Sequence, residues 1–183
     1  MSTFMRRIFR LVNRFFMVPV FRLGLGPLFG NPLTGYIMVL KAIGRKTGKV
    51  RCAPVNYTIH QGHVYCISGG GRTSDWYRNL MADPDVEILL PAGPIYVHVV
   101  EVDDRTERLV ALRQVLKNAG FAGFFEGYNP YTIQDAELAE KTSELPVLRF
   151  QPIGLANGAC DPGGWAWIWS LALTALIIYL LLR

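Results

Sequence analysis

The chain has 183 residues, 51% of them hydrophobic, with a net charge of +5 and a mean hydropathy of +0.23. That length suits one domain of ordinary size with an appendage. Eleven cations precede the first acid, Asp75, so residues 1–74 carry +11 and the remainder −6. Such a block calls for a polyanion, either lipid headgroups or a phosphorylated cofactor, and with no DNA- or RNA-binding motif in the chain nucleic acid is not expected as a partner.

From Phe4 to Met17 the sequence reads as an amphipathic helix. Arg6, Arg7, Arg10 and Arg14 share one arc, and Phe4, Ile8, Leu11, Val12, Phe15 and Phe16 fill the other. That apolar arc suits packing on the domain's own surface as well as it suits lying on a membrane. No uninterrupted apolar core or small-residue cleavage site marks a signal peptide. Pro19, Gly24, Gly26, Pro27, Gly30 and Pro32 form a connector.

Strand-like segments follow at Tyr36–Ala42, Val50–Ile59 and Val64–Ser68, joined by a charged turn at Gly44–Gly48 and a tight one at Gln61–Gly62. A register centred on Gln61–Gly62 pairs Cys66 with Tyr57, not with Cys52. No disulfide or CxxC metal site is therefore expected, and the default setting is reducing and cytoplasmic. His60, His63 and His98 read as strand or turn residues with no second ligand cluster, so no metal is expected. Ser74 caps a short helix, Asp75–Ala82, closed by Pro84. Val86–Leu90 and Ile95–Glu101 form a hairpin. Asp104 and Glu107 resemble a capping box opening an amphipathic helix that ends at Gly120. An aromatic segment, Phe121–Tyr131, precedes a last strand, Pro146–Phe150, stopped by Pro152.

Trp165 to Leu182 carries no charge, long enough for a bilayer core of about 30 Å, and begins with Trp165, Trp167 and Trp169. The expected fold is thus mainly β with helices (α+β): a split antiparallel β-barrel with an N-terminal amphipathic helix and a single C-terminal transmembrane helix. The boundaries are 1–30 for helix and connector, 31–153 for the barrel, 154–164 for a linker and 165–183 for the anchor. With no export signal and a basic first half, the barrel is expected on the cytoplasmic side of a single-pass membrane protein.

Two segments carry chemistry. Gly44–Arg51 (GRKTGKVR) packs four cations into a turn between strands, with glycines that free backbone N–H groups. Arg and Lys together suit phosphate or carboxylate. It is not a Walker A loop, because the GxxxxGK[ST] order is missing and a strand follows. On these residues alone, a solvated basic hairpin turn is the better account, and the motif by itself is modest. In Ser68–Asn79 (SGGGRTSDWYRN) a glycine bend leads into a helix N-terminus bearing Trp76 and Tyr77, where a planar or anionic group could settle, although such aromatics also serve as core.

Taken in order, GRKTGKVRCAPVNY, SGGGRTSDWYRNLMADPDVEI and the closing LPVLRFQP resemble the deazaflavin-dependent nitroreductase family, within the flavin-binding split-barrel superfamily related to pyridoxamine-phosphate oxidase. The resemblance runs from about Tyr36 to Pro152. It implies coenzyme F420, with FMN or FAD as alternatives. It puts Arg45, Lys46, Thr47 and Arg51 at the anionic tail of the cofactor. Pro54, Ser68, Gly69, Gly70 and Gly71 would meet its phosphate and ring, and Trp76, Tyr77 and Asn79 the helix closing the site. Three glycines replace the longer, lysine-bearing loop that the family often has after the serine. Ser68 would orient or polarise the ring or acceptor, with no adjacent base to make it a nucleophile. Tyr128, Tyr131 or water would supply a proton. The resulting expectation is a membrane-anchored reductase passing hydride to a quinone or another lipophilic or nitro acceptor. Its partners would be membrane lipids and a second copy or a membrane complex. The alternative is a non-catalytic accessory subunit of such a complex.

Overall fold

A computed structural model describes residues 11–23, 25–28, 30, 35–91, 93–120, 123, 129–156 and 167–183, without the side chains of Arg14, Pro27 and Trp167. Six strands close into one antiparallel barrel: β1 (Ile37–Ile43), β2 (Val50–His60), β3 (His63–Ile67), β4 (Asp85–Leu90), β5 (Gly93–Glu101) and β6 (Val147–Leu155), in the order β1-β2-β3-β6-β5-β4. Among the described residues the helices are α1 (Val18–Arg22), α2 (Asp75–Ala82), α3 (Arg105–Asn118), α4 (Asp135–Lys141) and α5 (Trp167–Leu181).

Alternate strand positions point inward and fill the barrel, as Met38, Leu40 and Ala42 do from β1 and Leu148 and Phe150 from β6. Tyr77 and Leu80 of α2 join that cluster and close one end. The opposite face of β3 and β6 is covered by α3 and α4, where Leu112, Val115 and Leu138 meet Tyr65 and Val147. Met17 and Phe21 cover Val39 and Leu89 on the outside of β1 and β4.

The turn between β2 and β3 holds Gln61 at φ 49° and Gly62 at φ 79°, the positive pair that a two-residue hairpin needs. That turn sets the register, with Tyr57 opposite Cys66 as the sequence implies. Pro54 is tolerated inside β2 because Val50–Asn56 pairs only with β1, leaving the other edge open to a residue with no N–H. Pro152 likewise does not stop β6. Past Phe150 the strand has β5 alone as partner, and a register shift beside Val97 absorbs the proline.

The N-terminal helix is described from Leu11 on, residues 1–10 lying outside, and it is helical to Arg22. Met17, Val20 and Phe21 are buried, whereas Leu11, Val12, Phe15 and Phe16 of the expected apolar arc are exposed. A π-helical turn, Asn13–Met17, closed by the Val18 N–H to the Asn13 carbonyl, adds a residue to the turn and breaks the 100° wheel. Helix then continues through Pro19 to Arg22, directly after the π-helical turn.

The C-terminal expectation is also corrected. Helix α5 has 15 residues, about 22 Å at 1.5 Å per residue and short of a core of about 30 Å. Among the described residues no helix is long and apolar enough to cross a membrane. The single transmembrane helix is therefore withdrawn, and with it the single-pass membrane localisation and the sidedness of the barrel, both of which depended on it. Trp165 lies outside the described residues.

Candidate functional site

The basic turn between β1 and β2 is built by its glycines. Gly44 N–H donates to Lys49 O at 2.9 Å, and Gly48, at φ +63°, donates to Gly44 O at 2.8 Å. Thr47 Oγ1 accepts from Lys49 N–H at 3.4 Å and from Arg51 Nη2 at 3.5 Å, which draws Arg51 toward the turn. Lys46, Lys49 and Arg51 are exposed, and among the described residues none forms an ion pair with a carboxylate. Arg45 behaves differently. Its Nη1 donates to Asn79 Oδ1 at 2.9 Å, its Nη2 to Asp75 Oδ1 at 3.1 Å, and its backbone N–H to Asn79 Oδ1 at 3.3 Å. Arg45 thus docks the basic turn on α2.

The glycine bend folds around Ser68. This serine is fully buried; its N–H donates to Pro146 O at 3.0 Å and its hydroxyl to Gly71 O at 2.8 Å, with Ser74 Oγ 3.2 Å away. The hydroxyl is therefore engaged within the bend. Ser74 occupies the N-cap position of α2, but its side chain makes no capping bond. Gly71 has φ +64°, a conformation that favours glycine, while a Cβ on Gly70 would come within 2.4 Å of Ser74 Oγ and require that hydroxyl to rotate away. At Gly69 an added Cβ would meet nothing within 4 Å, so that backbone is open to a ligand. Trp76 is half-buried against the barrel core, and Tyr77 and Asn79 are buried.

Across the bend stands Glu101, the last residue of β5. Its Oε1 accepts from Arg72 Nη2 and its Oε2 from the Tyr77 hydroxyl. Burial, and then the hydrogen bond to Glu101, push the Tyr77 phenol up. The charge of Glu101 raises the Arg72 guanidinium in turn. Glu101 and Asp75 have no local sequence signal; barrel closure brings the first beside the bend, and docking of the turn gives the second its role.

Pro54 lies on β2 opposite Val39, three residues beyond Arg51. Tyr131 is exposed beside the C-terminal turn of α3, with Lys117 Nζ 5.4 Å from its ring centroid and its N–H bonded to Asn129 Oδ1 at 2.9 Å. Tyr128 lies outside the described residues. The buried Cys66 thiol is pushed far up by desolvation, which keeps it protonated and unreactive. The donor set of Lys46, Lys49 and Arg51, facing solvent with no acid to neutralise it, fits an anionic ligand tail. The open backbone at Gly69 fits the close approach of a planar group of the kind a deazaflavin presents.

A family model described as F420H(2)-dependent quinone reductase matches residues 20–129. No functionally curated protein matches the sequence. Among solved structures, an F420-H2 dependent reductase (FDR-A) is similar at 22% identity and TM-score 0.42, over 63% of this chain and 93% of that one. A NimC/NimA family protein from Clostridium acetobutylicum is similar at 18% identity and TM-score 0.40, over 64% and 73%. HutZ, the haem storage protein of Vibrio cholerae, is similar at 13% identity and TM-score 0.45, over 74% and 87%. At such scores the family match, not the structural likeness, decides the assignment.

Proposed function

The chain belongs to the F420H(2)-dependent quinone reductase family and is a reductase dependent on deazaflavin F420; on that premise we propose that it reduces a quinone at the face made by the glycine bend, α2 and the basic turn. Reduced F420, when bound, supplies a hydride from its ring. The protein's own residues bind and orient. Lys46 and Arg51, with Thr47 beside them, hold the anionic tail, while Arg45 acts one step back by fixing the turn on α2. Gly69, Gly70 and Gly71 let the ring approach the backbone, and Pro54, Trp76, Tyr77 and Asn79 bound it. Ser68 shapes the bend through its buried hydroxyl. Tyr131, Tyr128 or water delivers the proton that completes reduction of the acceptor.

The observation that supports this reading best is the Arg45 link to Asp75 and Asn79. It joins two segments that are far apart in sequence, one with unpaired cations and one with an open backbone. The test is fluorescence titration of F420 against wild type and the double variant Lys46→Ala/Arg51→Ala, with F420H2 oxidation by menadione followed in parallel. Losing two charge-assisted contacts of about 1.5–3 kcal/mol each should weaken affinity about a hundredfold or more. Unchanged affinity in a folded double variant removes the turn from the site. Matched titrations with FMN and FAD should show much weaker binding than F420.

A further inference from the structure

We infer that Glu101 is a positioning residue for this site, clamping the glycine bend and α2 into the one arrangement that receives the cofactor. The inference rests on the family reading and deepens it.

Val97 and Val99 of β5 point into the barrel, and Glu101 continues their series. Its register agrees: Glu101 lies opposite Leu148, which lies opposite Cys66, and both of those are interior residues. A carboxylate therefore occupies an inward position at the barrel rim, with its side chain only 21% exposed. Such a charge is strongly unfavourable unless partners meet both oxygens. Here each oxygen has one, and the two partners come from different elements. Arg72 belongs to the short 3-10 turn that begins at the third glycine, Gly71–Thr73, and Tyr77 belongs to the buried face of α2.

The other bonds of the bend do not do this work. Those of Ser68 and Thr73 side chains close on Gly71, Gly70 and Ser74, within the bend itself. The Ser68 N–H ties it to Pro146, just before β6. The side-chain link from bend to β5 runs through Arg72 and Glu101, and Arg72 adds a second tie to α2 by accepting at its carbonyl from Arg78 Nε at 3.2 Å. Tyr77 stands between Trp76 and Asn79, so its hydroxyl bond to Glu101 fixes the rotation of the helix that presents both. With its phenol held protonated by burial, Tyr77 is a donor to Glu101 throughout the neutral range. Neutralising Glu101 would release Arg72 into solvent, leave Tyr77 with a weaker acceptor and let the bend and helix shift independently.

The test compares wild type, Glu101→Gln, Arg72→Met, the pair together, and Tyr77→Phe. F420 affinity is read by fluorescence, the KM values for F420H2 and menadione by steady-state kinetics, and Tm by thermal melting. Glu101→Gln should raise the Kd for F420 and the KM for F420H2 by about tenfold, leaving the menadione KM within about twofold. Arg72→Met added to Glu101→Gln should make little further difference, because both remove the same clamp. Tyr77→Phe, which loses only a hydroxyl, carries the test if Glu101→Gln does not fold, with about a threefold rise expected. Unchanged F420 affinity in the folded variants overturns the inference, as does a loss confined to Tm, or strictly additive effects of the Arg72 and Glu101 changes. If wild type itself binds no F420, the family reading fails and this inference with it.

Discussion

Asn79 shows how much a single buried amide can organise. It is 5% exposed, and its Oδ1 accepts from both the backbone and the guanidinium of Arg45, so one side chain of α2 sets where the basic turn sits. The tyrosines show the same economy in their ionisation. Tyr57, Tyr65 and Tyr77 are all pushed up, first by burial, and then by Tyr36, Glu107 and Glu101 respectively. A phenol whose folded value is raised contributes stability that is complete below its unfolded value of about 10 and is lost as pH rises through the folded value. Tm should therefore be flat in this respect from neutrality to about pH 10 and fall beyond it. Tyr77→Phe should lower Tm at neutral pH yet flatten the alkaline fall, and an unchanged alkaline slope would assign that fall to other groups.

At the scale of elements, α3 is the part that binds the outer layer together. Asp104 Oδ1 accepts from Glu107 N–H at 2.7 Å, one half of the capping box. The Glu107 carboxylate turns instead to Tyr65 Oη at 2.8 Å and to Arg149 at 2.8 and 3.0 Å, so the cap also ties α3 to β3 and β6. On its other side α3 holds the segment before β6 by backbone carbonyls. Arg113 donates to Pro130 O at 3.0 Å and Ile133 O at 2.8 Å, and Arg108 to Thr142 O and to Leu145 O at 2.9 Å. Helix α4 lies in that segment and was not expected from the sequence: it has seven residues and buries Leu138 alone, too little periodicity to register. Arg113→Ala should cost about 1–3 kcal/mol. Hydrogen exchange should quicken in residues 129–135, which include Tyr131, while the barrel strands stay protected. Uniform exchange across the chain would mean that this segment and the barrel open as one unit.

For the whole molecule, the strand pairings that build the barrel lie, among the described residues, between Ile37 and Leu155, and the barrel closes on itself. The described side chains of α5 from Ile168 onward are exposed and add nothing to that core. Removing residues 167–183 should therefore leave the barrel's Tm within about 2 °C of the full chain and its F420 affinity within about twofold. A large fall in either would show that α5 supports the barrel. Strand positions, the Tyr57–Cys66 register, the span of α2 and the cap of α3 were legible because each follows from neighbours in sequence: alternation, a Gln-Gly turn, a proline stop, an Asp three residues before a Glu. The basic turn and the glycine bend were legible as motifs for the same reason. Four things were not. Alternation in β6 could not reveal that Pro152 would meet only one neighbouring strand. A 100° wheel could not foresee the π-turn that hides Met17 and Phe21 and exposes Phe15 and Phe16. Apolar composition near the C-terminus suggested a span that the 15 residues of α5 do not provide. Nor could any local pattern bring Glu101 to Arg72 and Tyr77, or Arg45 to Asn79. Those pairings exist only because six strands close in one order, and closure is a long-range property of the chain.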